Sequence, residues 1–118
     1  MFKTTTNFLL LATLLLALAG VSFGQSFART GRYQVAAHDK GIYTALFKGG
    51  EPAAVYVEGD GDTDLDLYVF DENANLIGKD EDDTDECLVR FTPRWTGKFH
   101  IVVVNRGDVY NQFLLALS

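Results

Sequence analysis

The chain has 118 residues, 47% of them hydrophobic, with 10 Lys and Arg against 16 Asp and Glu. That length allows one domain at most, and the acidic balance excludes nucleic acid as a partner. Cys87 is the single cysteine, so no internal disulfide can form.

Residues 1–24 read as a signal peptide. Lys3 lies in a short leading region, residues 8–21 form an apolar run (FLLLATLLLALAGV), and the small residues Ser22 and Gly24 follow at the expected cleavage position. The run holds 14 residues, whereas a bilayer span takes about 20. Cleavage before Gln25, with Ala19 as the other candidate, is therefore expected over a membrane anchor. The protein is expected to be secreted or periplasmic, with no stable membrane span after cleavage. The mature chain, residues 25–118, keeps 118 − 24 = 94 residues and a formal charge of 9 − 16 = −7. Domains of this size often add a disulfide or a metal to a modest core, so with one thiol a metal is the stabiliser of interest.

Short runs of β-branched and aromatic residues recur about every ten positions, split by Gly, Asp and Asn. They predict strands over residues 33–37, 42–47, 54–58, 65–70, 76–78, 88–92, 99–104 and 113–117. The expected fold is all-β, a jelly-roll-like two-sheet β-sandwich of about eight strands. Alternation assigns Leu65, Leu67 and Val69 to the core, with Phe99, Ile101 and Val103, and with Cys87, Val89 and Phe91. Residues 71–75 read as a hairpin turn in which an Asn takes positive φ, and residues 92–97 as a corner.

Three stretches carry a resemblance: Asp64-Leu65-Asp66-Leu67-Tyr68-Val69-Phe70-Asp71, then Phe91-Thr92-Pro93-Arg94-Trp95-Thr96-Gly97-Lys98-Phe99, then Val104-Asn105-Arg106-Gly107 with Phe113-Leu114-Leu115. Together they resemble the bacterial pre-peptidase C-terminal domain family. The likeness implies a jelly-roll β-sandwich that serves as a non-catalytic appendage of exported enzymes, binding calcium in some members and collagen or other polymers in others. No catalytic domain is expected beside it here. Collagen-binding members draw calcium ligands from a segment ahead of the first strand. Residues 26–32 are basic and lack acids, so collagen binding is not carried over.

Twelve of the 16 acids lie between Asp60 and Glu86, with Lys79 as the only base among them. If residues 60–66 are extended, alternate aspartates form a ladder whose neighbours repel by only about 0.6 kcal/mol in water. That cost does not demand a cation. Convergence of a second acidic loop, residues 80–86, would raise the repulsion to several kcal/mol per pair at about 4 to 5 Å, and a hard cation with oxygen ligands would relieve it. The candidate ion is Ca2+, with Asp62, Asp64, Asp66, Asp82, Asp83 and Asp85 as ligands. The pattern is not an EF-hand, because Leu65 and Asp71 stand where that loop needs Gly and Glu. Without convergence the acids form a solvated rim that discourages strand addition.

Catalysis finds little support. His38 lies in a loop beside Asp39 and His100 points outward, while Ser26 and Ser118 are the mature chain's serines, one at each end. Cys87 opens a strand on its core face and reads as an inert buried thiol. Tyr68 and Phe70, opposite the Leu65 face, and Arg94 with Trp95 at the corner form a candidate ligand surface. Competing with that reading, the same aromatics could pack under loops. The function read from the sequence is a secreted non-catalytic binding or accessory module for an extracellular or envelope polymer or protein. The alternatives are an envelope structural protein with a solubilising acidic edge and, behind it, a small hydrolase.

Overall fold

Period-two alternation becomes eight strands in the computed structural model, which describes residues 27–118. The expected signal peptide and its cleavage site lie outside the described residues. The strands are β1 (Arg29–Val35), β2 (Lys40–Phe47), β3 (Ala53–Glu58), β4 (Leu65–Phe70), β5 (Leu76–Asp80), β6 (Glu86–Phe91), β7 (Gly97–Asn105) and β8 (Asn111–Leu117). Among the described residues no helix is long and apolar enough to cross a membrane.

Two antiparallel sheets, ordered β1-β8-β3-β6 and β2-β7-β4-β5, face each other. This order is that of a jelly roll: apart from the β4–β5 hairpin, consecutive strands cross between sheets, and the first and last strands, β1 and β8, pair. All eight expected strands are present. β1 starts four residues ahead of the expected 33, because its pairing with β8 runs back to Arg29↔Leu117. The exposed, charged Arg29 and Arg32 hide that extension from a hydrophobic pattern.

The expected core faces meet between the sheets. Leu65, Leu67, Val69, Ile101 and Val103 are fully buried, each worth about 1.5–3 kcal/mol. Phe99 packs edge-on against Phe47 at 5.7 Å, and half-buried Phe91 lies 5.4 Å from Phe99.

The β4–β5 turn differs from expectation in one detail: positive φ falls on Ala74 (66°) and not on an Asn. The cause is Asp71, buried to 3% exposure, whose carboxylate accepts the Asn73 and Asn75 N–H groups at 2.8 and 2.9 Å and the Asn75 amide at 3.0 Å. Both asparagines are held by that carboxylate, and the left-handed residue becomes the one between them. Ala74→Gly is expected to stabilise the fold by about 0.5–1 kcal/mol, read from a urea midpoint, because glycine carries no Cβ penalty there. These hydrogen bonds, led by the Asn75 N–H, hold the Asp71 carboxyl below its ordinary value. A depressed folded-state value means that Asp71 stabilises fully above about pH 4 and that this contribution is lost as pH falls through the folded value. Asp71→Asn should therefore flatten the acid limb of a melting-versus-pH curve, and an unchanged limb contradicts the assignment.

Candidate functional site

Residues 59–64 do not form the straight aspartate ladder that extended backbone would give. Gly61 has φ +89°, a conformation that costs glycine little, and it turns the chain before β4 begins. Asp60 is thereby directed at β8, where its carboxylate accepts the Gln112 N–H at 2.9 Å, and its other oxygen accepts the Asp62 N–H at 3.1 Å. Asn111, fully buried, ties the loop down from the other side: its Oδ1 accepts the Asp60 N–H at 3.1 Å and its Nδ2 donates to the Thr63 hydroxyl at 3.0 Å.

The second acidic loop does return to the first. The Gly59 N–H donates to the Asp85 carbonyl at 2.9 Å, the Leu65 N–H to the Thr84 carbonyl at 3.2 Å, and the Gly61 N–H to the Asp85 carboxylate at 2.6 Å. Gly59 permits this approach, since a Cβ there would collide with the Asp85 carboxylate.

Convergence of the backbones distributes the carboxylates among different partners. Asp85 caps the Gly61 N–H, and Asp82 accepts the Thr84 N–H and hydroxyl at 3.1 and 2.9 Å. Asp80, from the end of β5, accepts the Leu88 N–H of β6 at 2.9 Å. Asp62 and Asp83 are exposed. Asp66, 5% exposed on the outer face of β4, accepts from Arg106 Nε at 2.7 Å. Asp64 is different: its Oδ1 is buried with no hydrogen-bond partner. Burial first, then the charges of Asp66, Asp83 and Asp82, push its carboxyl above the ordinary value, while Arg106 pulls it back. Among the described residues no group of three or more His, Cys, Asp or Glu side chains is gathered to hold a metal ion.

Arg106 is the component that sequence reading leaves out. It appears there only inside the Val104-Asn105-Arg106-Gly107 stretch, 40 residues from Asp66. Only the jelly-roll order, which sets β7 beside β4, brings the two together. The signal is a lone base one residue past an apolar strand, diagonal across the register from an outward-facing Asp. Arg106 anchors a chain of polar contacts: its Nη2 donates to the Tyr68 hydroxyl at 3.2 Å, Tyr68 donates to the Glu81 carboxylate, and Lys79 pairs with Glu81 at 3.0 Å.

The aromatic candidates separate into two places. Tyr68 and Phe70 lie half-buried and stacked, ring centroids 6.4 Å apart, on the outer face of the β2-β7-β4-β5 sheet. The register sets Ile42, Val102 and Tyr68 in one row and Thr44, His100 and Phe70 in the next. Ile42 and Leu46 are 60% and 61% exposed, and Leu76, opposite Phe70, is 49% exposed. Arg94 and Trp95 lie instead on the β6–β7 loop, where they line a groove of about 440 Å³ with Asp71, Ile77 and Pro93.

His38 pairs with Asp108 at 2.6 Å, not with its neighbour Asp39, and His100 Nδ1 meets the Thr44 hydroxyl at 3.1 Å. Ser118 accepts the Ala54 N–H at 3.0 Å, a structural role at the chain's end. Cys87 is 1% exposed and its thiol donates to the Leu65 carbonyl at 3.2 Å. Burial pushes that thiol well up, reinforced by Asp80, Asp82, Asp66 and Asp64, so it lacks the thiolate character of a nucleophile.

No protein-family model matches the chain, and neither does any curated protein. Solved structures do match. The pre-peptidase C-terminal domain of a Bacillus anthracis collagenase superposes with a TM-score of 0.60 at 14% identity, covering 76% of this chain and 88% of that one. Aeromonas hydrophila PliG, a periplasmic inhibitor of g-type lysozyme, superposes with a TM-score of 0.56 at 18% identity, covering 83% and 93%. The β-sandwich is thus the fold of a pre-peptidase C-terminal domain, as the resemblance implies.

Proposed function

We propose that this chain, with the fold of a pre-peptidase C-terminal domain, is an exported non-catalytic binding module that docks a protein partner on the outer face of the β2-β7-β4-β5 sheet. The observation that carries the reading is that face itself. Ile42, Leu46 and Leu76 stand 49–61% exposed on the face that carries the stacked Tyr68 and Phe70. A sheet face on which exposed apolar side chains stand among polar ones such as Thr44 and His100 is of the kind protein contacts use. PliG, a protein-binding protein of the same fold, supports a protein partner over a polymer.

The test titrates the mature chain with g-type lysozyme as protein probe and with peptidoglycan fragments and a collagen peptide as polymer probes. Saturable binding of the protein probe, weakened at least tenfold by the double variant Ile42→Ser with Leu46→Ser, is the expected result. Binding to a polymer alone, or to none of the probes, contradicts it.

Calcium enters as a stabiliser of the same module. The donors are carboxylate oxygens, suited to a hard cation, and the buried Asp64 Oδ1 lacks a partner. Asp64, Asp82 and Asp83 would hold the ion, which would add positive charge beside Asp64, whereas the Arg106 guanidinium bonds directly to Asp66. Because these groups are not gathered in advance, affinity is expected in the weak range of extracellular modules, on the order of 1 mM. Calcium at roughly 10 mM should then stabilise by about 1.4 kcal/mol, raising the melting midpoint by about 5–10 °C over chelator. Asp64→Asn should abolish that rise, and an equal midpoint with calcium and chelator in the wild type removes calcium from the account.

A further inference from the structure

The two sheets have four edges, and three of them are blunted. β5 carries a register shift opposite Val69 and Phe70 and ends in Lys79 and Asp80. The β6 edge has its Leu88 N–H taken by Asp80, and β1 carries Arg29, Arg32 and Gln34. These are the usual devices against strand addition. Between its two ends β2 has none of them: its register with β7 runs without a break from Lys40↔Val104 to Phe47↔Gly97, with no proline and one charge, Lys40, at its start.

Hydrogen-bond parity says which groups this edge offers. The Asn105 N–H donates to the Asp39 carbonyl at 2.9 Å, which extends the register by one hydrogen-bonded pair. Alternation in an antiparallel ladder then bonds Gly41, Tyr43, Ala45 and Phe47 to β7 and points the N–H and C=O of Lys40, Ile42, Thr44 and Leu46 away from it. Two side chains mark the ends of that row. Asp39 Oδ1 accepts the Lys40 N–H at 2.8 Å, and Arg29 Nη1 donates to the Leu46 carbonyl at 2.8 Å. Between these caps the N–H and C=O groups of Ile42 and Thr44 face outward, next to the exposed Ile42 and Leu46 side chains.

We propose that β2 takes up an extended, acidic and apolar segment of a partner protein as an added strand paired to Ile42 and Thr44. This inference rests on the reading of the chain as a protein-binding module and names the kind of partner segment. Charge selects the occupant. On a mature chain of net charge −7 (9 − 16), this edge carries Arg29, Lys40 and Lys98, the last opposite Leu46, against Asp39 alone. A second copy pairing β2 with β2 about its middle would set Lys40 of each chain against the Arg29-capped Leu46 of the other. Like charges would then meet twice. A strand with apolar residues over Ile42 and Leu46 and carboxylates at its ends meets opposite charge instead.

The probe is a capped heptapeptide, Glu-Val-Thr-Val-Thr-Val-Glu, added to the 15N-labelled mature chain at millimolar concentration. Hydrogen exchange at the Ile42 and Thr44 amides should slow at least tenfold. A peptide N-methylated at alternate residues should give no slowing, and replacing its Glu residues by Lys should weaken binding at least fivefold. Thr44→Pro, which removes an N–H outside the ladder, should abolish protection of Ile42 while leaving the melting midpoint within a few degrees; if that variant fails to fold, the N-methylated peptide decides alone. Unchanged exchange at both amides overturns the proposal. So does the same protection appearing with rising protein concentration and no peptide, which would make the occupant a second copy. Lysozyme-type binding on the sheet face without peptide protection would overturn this inference and leave the proposed function standing.

Discussion

Asn105→Ala is expected to destabilise the fold by about 3 kcal/mol or more, a large share of the roughly 5–15 kcal/mol that holds a domain together. Asn105 is 1% exposed. Its Nδ2 donates to the carbonyls of Val109, Ala36 and Val35 at 2.8, 3.2 and 3.3 Å, and its Oδ1 accepts the Gly107 N–H at 2.9 Å. One side chain thus closes the β7–β8 loop on itself and joins it to the segment leaving β1. Truncation leaves a buried N–H and carbonyls without partners, each costing about 1–3 kcal/mol where water cannot reach. A urea midpoint at constant slope measures the loss, and a change under 1 kcal/mol would mean that water replaces the amide. The same loop presents Arg106, so the variant should also loosen the contact with Asp66.

Arg106→Gln is the second large effect, and its sign depends on the cation present. Without calcium, the buried Asp66 carboxylate loses its charged partner, and Asp64, already raised, loses the one neighbour that lowers it. The midpoint should drop on the order of 5–10 °C, since an unpaired buried charge is costly. With millimolar calcium the deficit should shrink, because an ion at Asp64 restores positive charge between the two loops. A calcium response larger in Arg106→Gln than in the wild type supports the ion as a substitute for Arg106. An identical loss in calcium and in chelator means that the guanidinium serves Asp66 alone.

The fold was legible because its core strands obey period two without interruption: Leu65, Leu67 and Val69 could belong only to a strand buried on one side. β1 was harder to bound, because Arg29 and Arg32 lie at a sheet edge where hydrogen bonding, not burial, defines the strand. The acidic site was legible by half. The β4–β5 hairpin made a return of residues 80–86 to residues 59–64 one of two open outcomes, but the division of labour among the aspartates was not legible. Asp60 is directed to β8 by Gly61, Asp85 to a backbone amide, and Asp66 to Arg106. Each partner lies 24 to 52 residues away or depends on a single backbone angle, and neither signal appears in local composition. The aromatic pair was assigned to the right face of β4 by alternation. Its neighbours Ile42 and Leu46 became part of the same surface only through the β2-β7-β4-β5 order.

The most direct measurement is an amide hydrogen-exchange map of residues 25–118 with and without the bound protein probe. Protection that spreads across β2, β7 and β4, centred on Ile42, Val102 and Tyr68, is the expected result. Protection confined to residues 59–64 and 81–85, with the outer sheet face unchanged, would contradict it and make the acidic loops the binding surface.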